Sequence, residues 1–139
     1  MDKKKWGWML VLLVVVILIV GYVKKPISIK GAFPELDTAA IDDVLLTTYE
    51  REKPIHLDSK DTGRFIAVVD ELVMKKKLMP NLPAFTDDAY MMFRSGDSRY
   101  TIRFDYGRNI IGISKDRKRM QQFILEEDAE LFSFVKKFL

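Results

Sequence analysis

His56 is the single histidine of this 139-residue chain, and it is the first candidate for proton transfer. A histidine general base needs a nucleophile within reach and an acid to orient the ring, and the sequence around His56 offers no such set. Cysteine is absent, so thiolate catalysis, disulfide stapling and Cys-based zinc are excluded together. The paired carboxylates Asp42-Asp43 and Asp87-Asp88 are the residue types for acid–base or metal work. Adjacent residues on an extended chain point to opposite faces, so Asp42 and Asp43 would not converge. Asp87-Asp88 follows a proline-containing loop, where aspartate serves turn chemistry. No calcium loop, phosphate loop or nucleophile elbow occurs. The sequence is therefore read as carrying no catalytic residue, no metal ligand and no cofactor site. A small hydrolase using carboxylates alone is the rival reading.

Two basic runs and one aromatic cluster remain. Lys75-Lys76-Lys77 suits the end of a helix, where cations meet the negative end of the dipole. Arg117, Lys118 and Arg119 fall in a turn, where they can meet anionic headgroups or a polyanionic polymer. Tyr90, Met91, Met92, Phe93, Tyr100, Phe104 and Tyr106 crowd two neighbouring segments, leaving large apolar groups on both faces of one strand. Either the loop over 77–88 covers the second face or that face binds a partner. Tyr90, Met92, Tyr100, Arg117, Lys118 and Arg119 are the candidate interaction surface.

The elements that position these groups begin with a membrane segment. Trp6 to Val23 is 18 residues without a charge, about 27 Å as a helix and close to the hydrocarbon thickness of a bilayer. Leu12, Val16 and Val20 lie within the span, and Trp6, Trp8 and Tyr22 mark its ends, where amphipathic rings prefer the interface. A cleaved signal peptide would have a shorter apolar core followed by a small-residue cleavage site, which Gly21-Tyr22-Val23-Lys24-Lys25-Pro26 does not supply. The flanking Lys3, Lys4, Lys5, Lys24 and Lys25, balanced there by Asp2 alone, also account for the net charge of +3. Residues 26–139 carry 18 basic against 19 acidic side chains, a balance that excludes phosphate-driven nucleic-acid binding. The short basic tail ahead of the first hydrophobic segment predicts a cytoplasmic N-terminus and a C-terminal domain outside the cell membrane.

Residues 1–25 are thus expected to be a single-pass signal anchor, 26–40 a tether marked by Pro26, Gly31 and Pro34, and 41–139 one soluble domain. Strands are predicted over 41–49 and 54–57. A helix is predicted from Asp58 through the stripe Phe65, Ile66, Val69, Leu72 and Val73, ending at Lys75-Lys76-Lys77. Four strands follow over 89–94, 100–106, 110–114 and 120–125, with Ser95-Gly96-Asp97-Ser98 as a tight turn. A last helix with Leu131, Phe134, Val135 and Phe138 on its apolar face closes the chain. The order ββαββββα describes an α+β domain with helices packed on an antiparallel sheet.

The run Asp88-Ala89-Tyr90-Met91-Met92-Phe93, the strand Tyr100-Thr101-Ile102-Arg103-Phe104, the segment Asn109-Ile110-Ile111-Gly112-Ile113 and the ending Phe134-Val135-Lys136-Lys137-Phe138-Leu139 together resemble the YhfM-like domain. That family groups small extracytoplasmic domains of Gram-positive lipoproteins and membrane-anchored proteins, and it assigns no catalytic residues. This chain lacks the lipid-bearing cysteine, and the apolar helix would take its place. The anchor, the tether and the absence of a catalytic set predict a membrane-tethered, non-enzymatic extracytoplasmic domain whose partners are the bilayer and a protein or component of the cell envelope. An accessory subunit whose anchor assembles with other membrane proteins is a further reading.

Overall fold

The computed structural model describes residues 2–50, 52–77 and 85–138. The apolar run forms α1, Lys3–Lys24, capped by Asp2, whose carboxylate accepts the Lys4 amide at 3.4 Å. Its span Lys3–Tyr22 is long and apolar enough to cross a membrane, and none of that window is buried against the rest of the chain. This is not a core helix: its apolar surface faces outward all round.

The chain then enters the fold at once. Ile27–Ser28 (β1) is followed by the single turn α2, Ile29–Ala32, where the Ser28 hydroxyl accepts the Gly31 amide at 3.1 Å. Ile29, Phe33 and Leu36 are buried in the main core. The segment 26–40 is therefore not a free tether but a structural part of the domain. Its apolar residues lack a regular period because they enter the core from a turn and a coil.

β2 (Ile41–Thr48) and β3 (Ile55–His56) match the first two predicted strands. α3, Ser59–Asp70, begins at Asp58, whose carboxylate accepts the Asp61 amide at 2.7 Å. It ends five residues before the expected lysines. Val73–Lys76 is instead a strand, β4, with Met74 buried and Val73 exposed. A helix would have turned Val73 inward; the period of two turns Leu72 and Met74 inward instead. Pro80 and Pro83, in the loop expected to cover the outer sheet face, lie outside the described residues.

β5 (Ala89–Ser95), β6 (Ser98–Asp105), β7 (Ile110–Lys115) and β8 (Gln121–Ile124) form the expected antiparallel meander. Gly96 opens the β5–β6 turn with φ +61°, a conformation that costs glycine nothing. Among the described residues the sheet has eight antiparallel strands in the order β1-β4-β8-β7-β6-β5-β2-β3. α2, α3 and α4 (Glu130–Lys136) cover one face. There Phe65 meets Phe93 at 5.3 Å and Phe134 at 5.9 Å between ring centroids, and Phe93 stacks on Tyr100 at 5.4 Å. The α+β architecture read from the sequence is the architecture found, extended by β1 and β4.

Tyr106, in the helical turn after β6, has a buried hydroxyl without a hydrogen-bond partner among the described residues. Burial, helped by the charge of Asp88, pushes this phenol from 10.0 up to about 12. The fold thus favours the protonated ring. Its contribution is complete below pH 10 and is lost as pH rises towards 12. Replacing Tyr106 by phenylalanine is expected to remove that alkaline loss without lowering stability at pH 7, because an orphaned hydroxyl disappears. Urea midpoints between pH 7 and 12 measure both effects.

Candidate functional site

The basic turn that the sequence singles out is held rigidly. Lys115 closes β7, and its ammonium meets the Glu35 carboxylate at 2.7 Å. That hydrogen bond, with the lysine's charge, holds Glu35 below the usual carboxylate range, and it raises Lys115 in turn. Asp116 sits at φ +54°, accepts the Arg99 amide at 3.0 Å and returns its own amide to the Arg99 carbonyl at 2.6 Å. The Lys118 amide closes the turn on the Lys115 carbonyl at 3.1 Å. Met120 then folds over Gly112, where a Cβ would overlap its side chain. Only glycine leaves room for that crossing.

This turn faces the end of β4. Antiparallel pairing sets Lys76 opposite Phe123, and the Lys77 ammonium donates to the Gln122 amide oxygen at 3.1 Å. Lys76, Lys77, Lys118 and Arg119, with Met120 and Gln122, line a groove of about 530 Å³, with no carboxylate among the described residues that line it. A second hollow of about 200 Å³ lies between Tyr22, Lys25, Pro26, Ile27 and Lys76. Lys76 borders both, and its ammonium stands 5.5 Å from the centre of the Tyr22 ring. The groove therefore opens directly beside the point where α1 enters the domain.

No family model matches the chain, and no curated protein matches it in sequence. In fold, the chain is similar to a solved structure, the "Crystal Structure of Putative Lipoprotein from Clostridium perfringens", which aligns over 71% of this chain and 84% of that one, with a TM-score of 0.50 and 16% identity. At that identity the likeness is one of fold.

The other residues singled out in the sequence fall elsewhere. Tyr90 and Met92 are half-buried on the sheet face away from the helices, beside Thr47 and Leu45 in the register of β2 and β5. Tyr100 is not part of any surface. It is 1% exposed on the core face, opposite Phe93, so it must be struck from the candidate interaction surface. Arg117 is exposed in the turn, while Lys118 and Arg119 reach the groove. Trp6, Trp8, Leu12, Val16, Val20 and Tyr22 are exposed along α1. His56 is exposed on β3.

The carboxylate pairs have structural work. Asp42 meets Arg94 at 3.2 Å, and Asp43 takes φ +53° where β2 is bulged. Asp88 accepts the Tyr106 amide at 2.8 Å, and Asp87 reaches Arg103 at 3.4 Å. Glu71, Glu126, Asp128 and Glu130 border a depression of about 390 Å³ at the far end of the β4–β8 pair. Among the described residues, no three acidic or histidine side chains are grouped so as to hold a metal. The sequence joins Lys76 and Lys77 to a helix end; Leu72, Val73 and Met74 are all apolar, so no local alternation marks the strand that carries Lys76 to the groove.

Proposed function

We propose that this chain is a membrane-tethered extracytoplasmic domain that acts by binding a protein or component of the cell envelope rather than by catalysis. One observation carries the reading: an outwardly apolar helix passes within a few residues into a compact sheet domain, with cations gathered at the junction. The fold shared with a protein described as a lipoprotein supports it, since both would hold the same kind of domain at a membrane by different devices. Binding rather than catalysis is supported by the engagement of Asp42, Asp87 and Asp88 in ion pairs and a backbone cap. The basic N-terminal tail stays in the cytoplasm, and the sheet domain lies outside.

A reporter enzyme that works only outside the cytoplasm, fused after residue 139, is expected to be active in cells. Activity confined to a cytoplasmic reporter would reverse the orientation. Mild crosslinking in the native membrane followed by purification is expected to recover a specific envelope component. Recovery of a turned-over small molecule instead would favour an enzyme.

A further inference from the structure

We propose that the groove between Lys76, Lys77, Lys118 and Arg119 receives the phosphates of anionic lipids in the leaflet from which α1 emerges, seating the sheet domain on the bilayer. The proposal rests on the reading of α1 as a membrane anchor. Tyr22 lies in the last turns of α1, at the depth where tyrosine rings settle among headgroups. Lys76 touches the same hollow as Tyr22 and also forms one wall of the groove, so the groove begins within one side chain of the headgroup layer. Lys25 adds a further cation on that side.

The chemistry of the lining suits a phosphodiester. Four cations surround it with no carboxylate among the described lining residues, and the Gln122 amide adds polar hydrogen-bonding capacity. Glu35, the carboxylate that feels Lys118, is already engaged by Lys115. The backbone of the turn is pinned to Arg99, and Lys115 to Glu35, independently of any ligand, so Lys76 and Lys77 at the end of β4 and the two cations of the turn extend from a backbone already in place. A wall polymer would find the same charges, but the groove's place beside the helix exit favours the lipid of the same membrane.

The test uses the full chain reconstituted in vesicles of phosphatidylcholine alone or with one-third phosphatidylglycerol. An uncharged amine-acylating reagent is applied, and each lysine's rate is read by mass spectrometry. With phosphatidylglycerol, Lys76, Lys77 and Lys118 are expected to react at least about fivefold more slowly, the factor one cation at an anionic surface is worth. Lys53 and Lys60 serve as references and should not change. In the variant Lys118→Gln with Arg119→Gln, both in an exposed turn, the slowing at Lys76 should largely vanish. Equal rates in the two vesicle types, or slowing that survives the double substitution, would overturn the proposal. So would slowing in phosphatidylcholine vesicles by added poly(glycerol phosphate) with none from phosphatidylglycerol. Flotation of the vesicles separates the two levels: a chain that fails to float refutes the anchor, whereas a chain that floats without protection refutes only the groove.

Discussion

Replacing Phe33 by alanine is expected to cost the domain about 3–5 kcal/mol, the usual loss for truncating a buried aromatic. Phe33 is 5% exposed, and its ring meets Tyr100 edge-on at 5.9 Å and 87°. Tyr100 in turn stacks on Phe93, so the cavity opens at the head of an aromatic row that runs through Phe65 to Phe134. Total stabilities of single domains lie at about 5–15 kcal/mol, so this one truncation removes a large share. If 26–40 were only a spacer, the change would stay within about 0.5 kcal/mol. Lys30→Ala, on an exposed side chain three residues earlier, is the matched control. Pulse proteolysis in increasing urea, on the chain held in vesicles, reads the fraction unfolded for both variants. It avoids the tryptophans, since Trp6 and Trp8 lie on α1 and do not report the core.

The same residues show why part of this fold was legible and part was not. β6 announces itself because Tyr100, Ile102 and Phe104 alternate with Thr101 and Arg103, and all three fall on the core face. The glycine turn before it fixes which strand it pairs with. β1 has two residues, too few to show any period, and its existence depends on the partner Val73-Met74 some 46 positions away. β4 was hidden for a different reason. Leu72 and Val73 continue the helical stripe of Phe65, Ile66 and Val69, and only the pairing with β1 and β8 decides for a strand. Tyr100 was misplaced by composition overruling parity: it belongs with Ile102 and Phe104, whereas Tyr90 stands opposite Arg103 on the other face.

The basic groove was half visible on the same grounds. Lys118 and Arg119 are neighbours in sequence and stand out as a charge run. Lys76 and Lys77 join them only because β4 and β8 pair, and no local pattern announces a contact between segments that far apart. Sequence balance also concealed the site, because the domain's charges nearly cancel in total while separating in space. The cations line the groove at the helix exit, and Glu71, Glu126, Asp128 and Glu130 border the depression at the other end of the β4–β8 pair. Net charge reports the sum of such a distribution and none of its polarity.

Substituting arginine for both Leu12 and Val16 is expected to release the chain from the membrane. Leucine or valine at the centre of a spanning helix contributes about −0.3 to −0.6 kcal/mol to insertion, and arginine opposes it by about 2.5–3.5 kcal/mol. Two exchanges therefore cost about 6–8 kcal/mol. The eleven apolar residues Leu10–Val20 together supply only about 3–7 kcal/mol on the same scale, so the balance turns against insertion. Extraction at alkaline pH and vesicle flotation should find the doubly substituted chain in the soluble fraction and the parent chain with the lipid. Because α1 buries none of its spanning window against the domain, the urea midpoint of the sheet domain should stay within the range of an ordinary surface change. Loss of both membrane retention and domain stability would mean that α1 packs on the domain. Retention despite the two arginines would mean that another part of the chain holds the membrane, and the cations at the helix exit would be the first place to look.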